Sequence, residues 1–300
     1  MSTTEIGIGA NREHKDTLFR KIFGIEEHKK YLLSLYNAIN HSNYSNENDL
    51  QLITLDDVLF VSMKNDVAFL FDCEMHLYEH QSTLNPNMPL RGFMYMAKLW
   101  QNWIQKNQKN IYKSKLVKLP TPHYAVFYNG TEETEDKYEL HLSDAFEKIQ
   151  KNGRYEWTAE VYNINIGKNK ELMEQCKALR EYASFIQMVR VYYKETKDEM
   201  LAIKKALAEA INRNYLDGYF QREKEEVFMT TLFEVNRDIY ENDLREEGRE
   251  QGREQGREEG REQERKKIVF AMYQSGIPIK QIASIIKVDM KELEEILLDK

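Results

Sequence analysis

Three hundred residues exceed one typical domain and leave room for a large core with an appendage. An apolar fraction of 41%, with 11% aromatic residues, excludes global disorder, and only two cysteines, Cys73 and Cys176, exclude a disulfide framework or a Cys-rich zinc site. The net charge of −7 argues against a nucleic-acid partner, yet residues 80–131 contain no acid in 52 positions, where an even spread would place about nine.

The opening MSTTEIGIGANREHK lacks the apolar core of a signal peptide, and no later apolar run approaches membrane-spanning length. A cytoplasmic protein without membrane contact is expected. Residues 15–39 read as an amphipathic helix, with Leu18, Ile22, Ile25, Leu32, Leu35 and Ile39 on one face and Gly24 as a break or kink. A polar loop at 40–49 precedes three strand-like runs, at 50–63, 67–71 and 75–81. The middle run, VAFLF, is apolar on both faces, as in a strand covered on both sides. Pro86 and Pro89 open a helix over about 90–107. YAVFY at 124–128 is a buried strand closed by Asn129-Gly130. A short helix at 143–151 and a strand at 157–166 follow, and residues 169–242 are helical almost throughout.

Residues 245–265 repeat REEG or REQG with a period of four. The i,i+3 Glu–Arg pairs favour a helix, whereas Gly248, Gly252, Gly256 and Gly260 each oppose it by ~1 kcal/mol. The block reads as a semi-flexible spacer or, alternatively, as a helix contact along the glycine stripe. Residues 266–300 give three short helices, a tail of helix-turn-helix or partner-binding type; its acidic last helix suits a DNA groove poorly. The expected organisation is a mixed α/β core at 1–167, a helical extension at 168–244, a Gly-Arg-Glu linker at 245–265 and a small helical tail at 266–300.

The chemistry-bearing stretch is Lys64-Asn65-Asp66, the VAFLF strand, and Tyr78-Glu79-His80-Gln81. If Asp72-Cys73 forms a two-residue hairpin loop, Phe71 faces Glu74 and, by the same count, Asp66 faces Glu79. Directly opposed carboxylates lie ~5 Å apart and repel. A hard divalent cation removes that repulsion, and such an ion suits phosphodiester hydrolysis by neutralising charge on the phosphate. Gln81, two residues beyond Glu79, shares its sheet face. A loop two residues longer would pair Asp66 with Gln81 instead. On spacing alone, the commoner outcome is a pair of strand-end carboxylates facing water. His76 and His80 alternate with these positions, and neither fits a zinc triad; packing or hydrogen bonding is expected of them. Asp56 and Asp57 form a reserve acid pair.

The run YEHQSTLNPNMPLRGFMYMAKLW, preceded by LDDVLFVSMKNDVAFLFD, resembles the recombination-promoting nuclease (Rpn) family of PD-(D/E)XK proteins. KDTLFRKIFG and PHYAVFYNGTEE…LSDAF are similar to it as well, so the resemblance spans about residues 15–146. It implies an α/β, restriction-endonuclease-like core, a mixed central sheet flanked by helices, with a mainly helical C-terminal extension. It also implies that Asp66 and Glu79 hold Mg²⁺ (or Mn²⁺), with Gln81 as the third catalytic residue at a position usually held by lysine. A neutral amide orients water or phosphate but supplies no charge; Lys98 or Arg91 would supply it. The acid-free segment carries Arg91, Lys98, Lys106, Lys109, Lys113, Lys115 and Lys118, and Arg91, Lys98, Lys106 and Lys109 are the expected contacts to the DNA backbone beside the cleavage site. The expected function is a Mg²⁺-dependent DNA endonuclease of little sequence specificity, acting in recombination or mobile-element transfer. A non-catalytic DNA-binding or interaction protein on a decayed nuclease fold is the alternative, and the helical C-terminal half offers a surface for homo-oligomers.

Overall fold

A computed structural model describes residues 17–53, 67–148, 155–286, 288–290, 293, 296 and 297. The chain divides into two units, residues 1–238 and 239–300. The first is built on six strands: β1 (Gln51–Leu52), β2 (Val67–Phe71), β3 (Glu74–Gln81), β4 (Thr121–Tyr128), β5 (Lys137–His141) and β6 (Thr158–Asn163). Their order in the sheet is β1-β2-β3-β4-β6-β5. β1, β2 and β3 form an antiparallel meander, β3, β4 and β6 run parallel, and β5 returns antiparallel on the outer edge.

The β2–β3 turn follows the expected register, with Phe71 opposite Glu74 and Val67 opposite Tyr78. Asp72 and Cys73 both adopt left-handed backbone, with φ of 46° and 63°. That is the twist a two-residue hairpin loop requires. Alternation along β3 then sends Met75, Leu77, Glu79 and Gln81 to one face and Glu74, His76, Tyr78 and His80 to the other.

The first of these faces is covered by α3 (Met88–Lys106). Met88, Gly92, Met96 and Leu99 form its buried stripe and meet Met75, Leu77, Tyr124, Val126 and Val161 of the sheet. Each large side chain buried there contributes ~1.5–3 kcal/mol. The opposite face is covered by α1 (Leu18–Phe23), α2 (Lys29–Asn40), α5 (Lys177–Thr196) and α6 (Glu199–Asn212), whose Phe19, Leu32, Leu179, Tyr182 and Phe185 pack on Phe69, Tyr78 and Phe127. VAFLF is thus covered on both sides, as its composition requires. Between α2 and α5 lies α4 (Lys170–Gln175), and α7 (Tyr219–Arg222) leads into α8 (Lys224–Gln274).

Three expectations are corrected. The N-terminal helix is two helices, parted at Gly24 and a 3-10 turn, Glu26–His28. The helix expected at 143–151 is, among the described residues, a 3-10 turn, Leu142–Ala145. The Glu156 carboxylate accepts from the Ser143 N–H at 3.2 Å and its hydroxyl at 2.6 Å, diverting groups that a helix would use. β5 was not anticipated; its sequence, KYELH, is short and carries two charged residues in five. The strand expected at 50–63 begins as β1, and residues 54–63 lie outside the described residues.

In the second unit the glycine-arginine-glutamate repeat lies within α8, and α9 (Ile279–Ile286) follows a break at Ser275-Gly276. Val269, Ile282, Ala283, Leu293 and Ile296 make a small apolar core there.

Candidate functional site

Glu79 and Gln81 stand at the C-terminal end of β3 on the face covered by α3. Parallel pairing with β4 sets Glu79 opposite Val126 and Gln81 opposite Tyr128, and the Asn129 N–H donates to the Gln81 carbonyl at 3.0 Å. Two glycines allow the close packing around this end. A methyl group on Gly92 would lie 2.2 Å from the Tyr124 ring, so α3 sits directly on β4 one residue after Arg91. One on Gly130 would lie 2.2 Å from the Ser82 carbonyl.

Arg91 is therefore delivered to the end of β3. Its Nη2 lies 3.3 Å from Glu79 Oε2, with 28% of the Arg91 side chain exposed and 3% of Glu79. With its amide oriented to give each atom a partner, Gln81 Oε1 accepts from Arg91 Nη1 at 3.0 Å and its NH₂ group donates to the Thr83 carbonyl at 3.2 Å. Arg91 thus bridges the carboxylate and the amide. Burial pulls the Arg91 pKa down, but the Glu79 charge, together with Tyr95 and Tyr124, outweighs it, so it stands above its ordinary value.

Asp66, Asp56 and Asp57 lie outside the described residues. The register that would carry Asp66 to Glu79 is seen as far as Val67 opposite Tyr78. Of the two cations offered to Gln81, Arg91 makes the contact; Lys98 donates to Gln101 at 3.4 Å. Lys106 stands fifteen residues beyond Arg91 on α3, roughly 22 Å along the axis. Lys106 and Lys109 are exposed, as are Lys113, Lys115 and Lys118 in the connection to β4.

The histidines divide. His80 behaves as expected: Tyr182 hydrogen-bonds its Nε2 at 3.0 Å and Phe19 stacks on its ring. His76 is buried in packing too, stacked on Phe69, but it also comes together with Glu74 and with His123 of β4, which sequence reasoning had not singled out. The signal for His123 exists only in three dimensions, because parallel pairing sets it directly opposite His76. Arg190 of α5 was likewise missed; it donates to the Asn129 carbonyl and, at 3.1 Å, to Asn165 Oδ1, tying down the ends of β4 and β6.

The C-terminal ends of parallel strands, with a crossover helix overhead, are where open α/β sheets bind ligands. Here that edge presents a buried carboxylate beside an amide and a guanidinium, and the last two are donors suited to orienting an anionic group. No helix among the described residues is long and apolar enough to cross a membrane. No family model, no curated protein and no solved structure matches this chain.

Proposed function

We propose that this chain is a metal-dependent nuclease that hydrolyses DNA phosphodiester bonds with little sequence preference, through Asp66, Glu79 and Gln81. The observation that carries the reading is the Arg91 bridge. A buried carboxylate and an amide two residues apart on one strand are both held by a cation from the next helix. The order helix, three-stranded meander, crossover helix and parallel strand supports it. So does the resemblance of residues 15–146 to PD-(D/E)XK proteins of the Rpn family.

Glu79 and Gln81 offer only oxygen to an ion, which suits Mg²⁺, and Asp66 and Glu79 would hold it. When bound, the ion supplies Lewis-acid chemistry and neutralises charge on the phosphate. Gln81 orients a phosphate oxygen or water by hydrogen bonding. Arg91 contributes the positive charge that a lysine at position 81 would otherwise supply, and its fork suits phosphate oxygens. DNA lying along α3 from Arg91 to Lys106 would follow a backbone for roughly six nucleotides at 3.4 Å each. Contacts of this kind fix register and carry no sequence information.

The same bridge favours a second reading: a carboxylate already neutralised by Arg91 has less need of a metal, as in a DNA-binding protein that has lost cleavage. Plasmid nicking with and without Mg²⁺ decides between them. Wild type should nick only with Mg²⁺, and Asp66→Ala or Glu79→Gln should reduce the rate at least ~100-fold. Nicking that persists in Asp66→Ala, or none under any condition while DNA is still bound, rejects the nuclease reading.

A further inference from the structure

At the opposite end of β3, beside the hairpin, Glu74 and His76 share the face turned away from Glu79, and His123 stands across from His76 on β4. His76 Nε2 lies 3.3 Å from Glu74 Oε2, and His123 Nε2 lies 3.3 Å from Glu74 Oε1. All three candidate ligand atoms fall within 4.8 Å of one another. Two ligands at ~2.0–2.1 Å from a tetrahedral ion stand roughly 3.3 Å apart, the separation that each imidazole nitrogen keeps from its own oxygen of the Glu74 carboxylate.

His76 is 1% exposed, and neither its Nε2 nor that of His123 makes a hydrogen bond among the described residues. A buried imidazole nitrogen left in this state is costly, and aiming it at a carboxylate and a second imidazole invites an ion. We infer that Glu74, His76 and His123 form a binding site for a Zn²⁺-type divalent transition ion, separate from the Glu79 end of the strand.

The chemistry of the donors selects the ion. Two imidazoles with one carboxylate suit zinc, whereas Mg²⁺ and Ca²⁺ favour oxygen. Three protein ligands leave a fourth position for water or an exogenous ligand. The rings of His76 and His123 are nearly parallel, 10° apart at 4.7 Å, and one ion cannot lie in both planes. His76 is held by Phe69 on its other face, so His123 turns on binding. The bound ion would then clip the start of β4 to the hairpin end of β3.

The test is zinc titration of the full chain by calorimetry in metal-free buffer, with Co²⁺ absorption as a report of geometry. One equivalent should bind wild type, and Co²⁺ should give the intense visible bands of a tetrahedral site. His123→Ala and Glu74→Gln, both at solvent-accessible positions, should fold as wild type by circular dichroism and bind on the order of 100-fold more weakly. Glu79→Gln should bind zinc as wild type does, which separates this site from the proposed nuclease centre. Unchanged affinity in His123→Ala and Glu74→Gln, or no stoichiometric binding by wild type, overturns the assignment.

Discussion

Replacing Arg91 with methionine isolates the electrostatics at the end of β3. Methionine retains much of the apolar stem but removes the cation 3.3 Å from Glu79. At that separation and an effective dielectric constant of about 20, the attraction is roughly 5 kcal/mol. Glu79 is almost wholly buried, so hydration returns little of this; Arg91 is 28% exposed, so water enters part of the space it leaves. Arg91→Met should therefore cost about 3 kcal/mol, the lower end for removing one partner of a buried pair. Glu79→Gln should cost less, about 1 kcal/mol, because the guanidinium left behind still reaches water. In the double variant the losses should not add, leaving a coupling of about 2 kcal/mol. Urea unfolding followed by tryptophan emission measures this, since Trp100, Trp103 and Trp157 are the chain's three tryptophans and all lie within residues 1–238. A coupling below about 0.5 kcal/mol, or a Glu79→Gln variant weaker than Arg91→Met, refutes the bridge as the organiser of this site.

Glycine-to-alanine changes should have opposite signs in the two units. At Gly92 the new methyl would lie 2.2 Å from the buried Tyr124 ring, so overpacking of about 1–3 kcal/mol should outweigh the ~1 kcal/mol gained in helix propensity. At Gly248, Gly252, Gly256 and Gly260 a methyl meets nothing within 4 Å, so the fourfold substitution should raise helical signal and thermal midpoint in circular dichroism. A stabilised Gly92→Ala, or an unaltered repeat variant, contradicts the packing. Acid should also be felt at His76, whose pKa is lowered from 6.5 to about 3, first by burial and then by neighbouring His123. Between those values the unfolded chain binds a proton that the folded chain refuses, so this contribution is complete above about pH 6.5 and is lost as pH falls towards 3, at up to ~1.4 kcal/mol per unit. In metal-free buffer His76→Phe should flatten the acid limb of urea stability by one proton; an unchanged slope rejects the assignment.

Local chemistry made the hairpin readable. Given a two-residue loop at Asp72-Cys73, the Phe71–Glu74 register followed from counting, and the structure selects it over the longer loop; the shared face of Glu79 and Gln81 holds in either register, and VAFLF demanded cover on two sides. Pairings across the crossover were not readable in this way. Sequence offered Arg91 and Lys98 alike, and the choice of Arg91 depends on Gly92 bringing α3 onto Tyr124; the His76–His123 pairing depends on a parallel register set only after α3 and its connection have been traversed. Position just after Gln81 in sequence fixes only distance along the helix, which carries Lys106 roughly 22 Å along its axis from Arg91.

The two polar clusters on β3 differ in face, in end and in donor chemistry. Glu74 and Glu79 are five residues apart, roughly 16 Å along an extended strand, and their side chains leave opposite faces. Imidazole at the hairpin end favours zinc, whereas carboxylate and amide oxygen at the other end favour magnesium. A general chelator would strip both ions, so loss of cleavage on chelation would not by itself identify the nuclease centre. Restoration by Mg²⁺ alone, in His123→Ala as fully as in wild type, would assign the chemistry to the oxygen cluster. Restoration that needs zinc and fails in His123→Ala would move it to the hairpin end.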